Sequence, residues 1–143
     1  KILDRKKLKK KDDVAVFREV AIMKELIHLP TVVRLIDFFE SPEELFVVQV
    51  FAAGGDVFDR LSQRANYNEK NARDLAESLI ETMEAVHQKG IVHRDLKPEN
   101  LLLLAENDDS EILLADFGFA RHTDKENQCT TRCGTPGKQL DGR

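Results

Sequence analysis

An α+β fold follows from three observations: a small β-rich part with one helix, then a glycine hinge, then a mainly helical part. Apolar residues recur at helical spacing in two stretches, at Val16, Val20, Met23 and Ile27 and again at Leu75, Leu79, Met83 and Val86. Between them, two runs rich in β-branched and aromatic residues flank Ser41-Pro42-Glu43-Glu44, the pattern of an antiparallel hairpin. Ala52-Ala53-Gly54-Gly55 then breaks the periodicity. At 143 residues the chain is at most one domain, or part of one, and large enough to bury a core.

Taken in order, Lys1 to Leu3 reads as the end of a strand. The first helix takes Asp12 or Asp13 as N-cap and stops at Pro30. Val32 to Glu40 and Leu45 to Phe51 are the hairpin strands, and Val57 to Leu61 is a short helix past the hinge. A long helix runs from its N-cap Asn68 to Gln88. Lys89 and Gly90 close it, a cation and a glycine where helix C-termini favour them. Leu101 to Leu104 and Ile112 to Ala115 are short apolar strands joined by a polar turn from Ala105 to Ser110. Arg121 to Arg143 has almost no hydrophobic periodicity and is expected to be a mobile surface segment.

Hydrophobic and charged shares of 41% and 34% describe a globular chain rather than a disordered one. A net charge of -4 and a pI near 5.6 give no reason to invoke nucleic acid or an anionic membrane. No apolar run approaches the roughly 20 residues that span a bilayer. The basic run from Arg5 to Lys11 is bracketed by Asp4, Asp12 and Asp13, which favours a solvated loop over a localisation or lipid-binding patch. Cys129 and Cys133 lack the further ligands that zinc, with about four, requires. Reduced thiols and no signal peptide suit the cytoplasm, with the nucleus as an alternative.

Chemistry concentrates in His93-Arg94-Asp95-Leu96-Lys97-Pro98-Glu99-Asn100 and, after a short hydrophobic stretch, in Asp116-Phe117-Gly118. These set an acid (Asp95), a cation (Lys97), an amide (Asn100) and a second acid (Asp116) at fixed offsets. Phosphoryl transfer from ATP needs such a set. One carboxylate orients the substrate hydroxyl and accepts its proton, a lysine steadies the moving group, and an amide with another carboxylate holds magnesium. Pro98 fixes its own φ and biases Lys97 toward extended backbone, which favours a rigid loop. Alone, Asp95 would read as a surface aspartate capping a turn, and Asp-Phe-Gly as a chance tripeptide. The order and spacing of the two motifs decide for catalysis.

On these motifs the chain resembles the eukaryotic protein kinase catalytic domain along nearly all of its length. The resemblance implies a single partial domain of the bilobal kinase fold: residues 1–49 from the small lobe, 50–56 the hinge, and 57–143 a large-lobe portion ending in the activation segment. It implies ATP and Mg2+ as cofactors, Asp95 and Lys97 as catalytic residues, and Asn100 and Asp116 as metal ligands. His93 becomes structural, and Arg94 answers a phosphate on the activation loop. Lys97 is similar to the serine/threonine class. Glu19, in Arg-Glu-Val-Ala-Ile-Met-Lys-Glu-Leu, matches the regulatory-helix glutamate that pairs with the phosphate-gripping strand lysine, and Lys1 falls at that lysine's place. Glu25 belongs to the helix's solvated face. Gln49 falls at the gatekeeper position, and Val50, Phe51 and Ala52 offer backbone groups to adenine. Leu102 is the floor under the ring, although strand core explains it equally well. Met23, Leu35, His93 and Phe117 fall on the family's regulatory spine.

Gly54-Gly55-Asp56-Val57-Phe58 resembles the Gly-Gly-Glu-Leu-Phe of calcium/calmodulin-dependent and plant-type calcium-dependent kinases. Asp56 then bonds the ATP ribose or, with Glu99, faces arginines N-terminal to the target hydroxyl. The partner implied is a protein or peptide whose Ser or Thr follows an Arg. Cys133-Gly134-Thr135-Pro136-Gly137 resembles the start of the substrate-docking segment. This puts Thr135 near Asp95 and Lys97 and Thr131 at an activation-loop phosphosite, one hydroxyl among several with Thr123 and Thr130.

The pattern departs from the family in two places. None of the seven glycines forms a G-x-G-x-x-G loop, so the phosphate-covering hairpin is expected before Lys1. After Gly137, the family's tyrosine and Ala-Pro-Glu give way to Lys138-Gln139-Leu140-Asp141-Gly142-Arg143. The expectation is therefore a fragment of an ATP-dependent serine/threonine protein kinase, inactive alone, without the glycine-rich loop and the distal large-lobe helices. The alternative is a catalytically inactive kinase-like protein that binds a partner, but such a protein has no need to keep Asp95, Lys97, Asn100 and Asp116 together. Small-molecule kinases rank last, because they lack the Lys97 and Gly134-Thr135-Pro136 context.

Overall fold

A computed structural model describes residues 1–63, 68–106 and 108–123. Strands β1 (Ile2–Asp4), β2 (Leu35–Glu40) and β3 (Glu44–Gln49) form an antiparallel sheet in the order β1-β3-β2. Alternation along β3 buries Leu45 and Val47 and leaves Phe46 and Val48 more exposed. Helix α1 (Lys10–Glu25) buries Val16, Val20, Ile22 and Met23, and Phe17 meets Phe38 edge to face at 5.5 Å.

The helix ends differ from the expectation. Lys9 is the N-cap. Asp12 sits three positions in, where its carboxylate accepts the Lys9 N–H at 3.2 Å. Asp13 instead pairs with Arg5 at 2.9 Å. The helix closes at Leu26, well before Pro30, because Leu29 N–H turns back to Leu26 O at 2.9 Å. Ile27 therefore leaves the apolar stripe and is exposed, and Leu26 takes its place in the core.

Helix α2 (Val57–Gln63) is followed by α3 (Glu69–Gln88). Asn68 caps α3 as expected, its side-chain oxygen accepting Lys70 N–H at 2.9 Å, a contact worth about 1 kcal/mol. Thr82 and Val86 are buried, while Leu79 and Met83 are half-buried. No described helix is long and apolar enough to cross a membrane.

Strand β4 (Ile91–Val92) precedes the His93–Asn100 loop, whose last residues, Pro98–Asn100, make a 3-10 turn. Strands β5 (Leu101–Ala105) and β6 (Asp108–Leu114) then pair in a hairpin, extending further into the polar turn than their apolar cores suggest. Strand β7 (Arg121–His122) pairs with β4, so tertiary pairing orders two residues that the pattern assigned to an aperiodic segment. Cys129, Thr131, Cys133 and Thr135 lie outside the described residues.

The expected break at the double glycine is pinned down. Ala53 and Gly54 N–H donate to Leu104 and Leu103 O at 3.1 and 3.0 Å, and Leu103 N–H returns a bond to Gly55 O at 2.8 Å. A Cβ on Gly54 would lie 2.5 Å from that of Leu103, and Gly55 has φ +73°, so both positions require glycine. The loop before β2 fastens onto β6: Val33 N–H donates to Leu114 O at 2.9 Å, and Leu114 N–H to Thr31 O at 2.8 Å. One hydrophobic core runs from α1 through Leu45 and Val86 to Phe117.

Candidate active site

The β5–β6 hairpin assembles the site. Leu101 pairs with Leu114, and Ala115 N–H donates to Asn100 O at 2.9 Å, which brings Asn100 next to the neighbour of Asp116 in the chain. Two residues distant in sequence thus meet at the mouth of one hairpin. Asp116 adopts φ +62° and Arg94 φ +70°, left-handed backbone that is uncommon for non-glycine residues.

Asp95 is buried at 5% exposure. A carboxyl this deep is costly unless it is hydrogen-bonded. Its Oδ2 lies 2.9 Å from Lys97 Nζ and 3.3 Å from Asn100 Nδ2, and that same nitrogen donates to Asp95 O at 2.8 Å. Lys97 has φ -157° and ψ 158°, the extended geometry that Pro98 favours. The loop therefore gathers acid, cation and amide within its own length.

His93 is fully buried beneath it, with its ring centroid 4.9 Å from that of Phe117. Nε2 donates to Ala115 O at 2.9 Å, and Nδ1 accepts Asp95 N–H at 3.3 Å, which fixes the neutral tautomer. Burial pushes its pKa below the ordinary histidine value, against the opposing pull of the Ala115 carbonyl and the nearby carboxylates. This supports a structural role and not one as a base. Met23, Leu35 and Phe117 are buried in the common core, so the spine positions are all interior.

From the other side, Lys1 Nζ lies 3.2 Å from both carboxylate oxygens of Glu19, which is itself buried. A Cβ on Gly118 would lie 3.2 Å from Asp116 Oδ1 and 3.8 Å from Glu19 Oε2. The α1 carboxylate and the Asp-Phe-Gly turn therefore meet across that glycine.

The remaining predicted residues surround this centre. Gln49 Nε2 donates to Met23 Sδ at 3.3 Å, which ties the gatekeeper position to α1. Val50 N–H is committed to Arg34 O at 3.0 Å, and Phe51 is 85% exposed. Leu102 bridges to the backbone of Asp56. Asp56 Oδ1 accepts Asp59 N–H at 2.8 Å, capping α2 from the hinge. Glu99 is exposed beside the loop.

Three contacts carry no signal in the sequence patterns. Arg60 on α2 reaches Gly54 O at 3.2 Å and Glu106 O at 2.5 Å, clamping the hinge to the β5–β6 turn. Glu25, assigned to a solvated face, is exposed yet bonds His122 Nε2 at 2.9 Å, joining α1 to β7. No local pattern signals contacts between residues so far apart in sequence.

The comparisons with known proteins identify the family to which this fold belongs. The family model described as Protein kinase domain matches residues 1–137. Calcium/calmodulin-dependent protein kinase type 1 of Macrobrachium nipponense is 39% identical over 137 residues, covering 96% of this chain and 39% of its own length. The Emericella nidulans calcium/calmodulin-dependent protein kinase cmkB is 42% identical over 122 residues, 83% of this chain and 30% of its own. Mouse calcium/calmodulin-dependent protein kinase type IV is 39% identical over 133 residues, 92% of this chain and 28% of its own. The chain belongs to the protein kinase family and carries part of its bilobal fold, spanning less than half the length of these relatives.

Proposed function

We propose that the whole protein transfers the terminal phosphoryl group of ATP to a serine or threonine hydroxyl of a protein substrate. The observation that carries this reading is the joined cluster of Asp95, Lys97 and Asn100, bonded through Ala115 to the turn that holds Asp116. Asp95 orients the substrate hydroxyl and takes its proton. Lys97, already held beside it, places positive charge against the moving group. Glu19 keeps Lys1 directed at the site, where its ammonium would meet the nucleotide's phosphates.

Asn100 spends its amide nitrogen on Asp95, which leaves its oxygen as the ligating atom, and Asp116 presents an exposed carboxylate. Two hard oxygen donors fit magnesium, which keeps several waters and binds few protein ligands beside phosphate. When bound, the ion neutralises negative charge on the phosphates. Val50 to Ala52 and Leu102 frame the adenine, and Arg94 answers a phosphate on Thr131. With no G-x-G-x-x-G in its 143 residues, the chain by itself turns over far more slowly than the whole protein.

Glu99 and Asp56 select arginine N-terminal to the target hydroxyl, Glu99 being the freer carboxylate because Asp56 also caps α2. The test is radiolabel transfer by the whole protein to one peptide carrying Ser, Thr or Tyr, with and without upstream Arg. Ser and Thr peptides with Arg should be preferred, and Glu99→Gln should flatten the Arg preference. Equal use of Tyr, or indifference to Arg, contradicts the proposal.

A further inference from the structure

Beside the hinge, on the loop between α1 and β2, lies a cleft of about 350 Å³ that shares only Val50 with the residues of the proposed chemistry. Leu29, Val32, Leu104 and Leu113 form its apolar walls, and Val50 closes the hinge side. Two basic side chains, Arg34 and His28, line it as well. Both are exposed, and neither has an ion pair or side-chain hydrogen bond among the described residues. The other cations of the small sheet's rim differ: Lys1, Arg5, Lys6 and Lys7 all have carboxylate partners.

We propose that this cleft is a binding site for a small hydrophobic acid, an aryl carboxylate whose ring fills the apolar walls and whose carboxylate pairs with Arg34. Volume and charge carry the assignment. Ligand cavities run from roughly 300 to 1,000 Å³ and combine mostly apolar walls with a few polar anchors. A cleft at the lower end holds a bicyclic ring and has no room for a peptide helix about 10 Å across. The guanidinium offers the planar fork that carboxylates match, and its freedom from internal partners leaves that fork available. Arg34 also holds the hinge by its carbonyl, which accepts Val50 N–H at 3.0 Å, so its backbone is fixed beside the cleft.

The probe is 2-naphthoate, with 2-naphthylmethanol as its neutral counterpart, titrated into the chain and followed by ligand-observed NMR. One saturable site is expected, with the acid bound about fivefold tighter than the alcohol, the scale of an exposed ion pair. Arg34→Gln should erase that difference and leave the alcohol unchanged, while His28→Asn should reduce it in part. Saturating ATP should not displace the acid. Equal affinity for acid and alcohol, retention of the preference in Arg34→Gln, or displacement by ATP would each overturn the proposal. So would loss of binding in Leu96→Asp, which would place the probe in the separate apolar groove of Leu79, Met83 and Leu96. Absence of any binding overturns it too.

Discussion

The His93–Asn100 loop and the Lys1–Glu19 pair, which the proposed function gives one chemistry, are built in opposite ways. Asp95 receives Lys97 and Asn100 from within one stretch of eight residues, over a histidine and a phenylalanine that are both buried. Lys1 and Glu19 meet only because β1 and α1 pack on the same small sheet, and the lysine side chain remains 41% exposed. The loop's bonds are made within its own sequence, whereas the pair exists only while α1 holds its position. Under the proposed function, the self-contained loop would do the chemistry and the conditional pair would be where control of the site acts.

Substitutions in the two regions should separate these roles. If Asp116 ligates magnesium as proposed, Asp116→Ala should cost more than the roughly 10- to 100-fold typical of outer-shell partners of a metal. It is read as a higher magnesium requirement for nucleotide binding by the whole protein, and an unchanged requirement breaks the assignment. Glu19→Gln leaves Lys1 without its buried partner and should weaken nucleotide binding about tenfold, the scale of a lost charged hydrogen bond. It should leave the Asp95 cluster intact.

The smallest effect is on stability. His93 has its pKa lowered by burial, so below about 6.5 the unfolded chain binds the proton and the folded chain resists it. Stability should therefore fall as pH drops through about 6.5 toward the lower folded value, and level off beneath it. Urea midpoints across that range measure the slope, which His93→Phe should flatten. The same slope in both proteins would show that other groups cause it.

Local rules account for most of what the sequence could reveal. The loop's order of Asp95, Lys97 and Asn100, the extended Lys97 before Pro98, the Asn68 cap and the double-glycine hinge all depend on neighbours within a few residues. Helix α1 was legible in its buried stripe but not at its ends, where Arg5 drew Asp13 away from capping and a turn at Leu26 preceded Pro30. The pairing of Arg121 and His122 with β4 and the Arg60 clamp on the hinge depend on residues far apart in the chain. The Lys1–Glu19 contact is of that kind too, and it was reached through family resemblance and not through pattern.

The most direct test sets Asp95→Asn beside Glu19→Gln in the whole protein and measures nucleotide affinity and single-turnover phosphoryl transfer for each. Asp95→Asn should keep nucleotide affinity and lose about 100- to 10,000-fold in rate, as expected for a missing proton acceptor. Glu19→Gln should lose affinity first. Transfer by Asp95→Asn at the wild-type rate, or matching losses of affinity in both variants, would contradict the division between a preformed catalytic loop and a conditional ion pair.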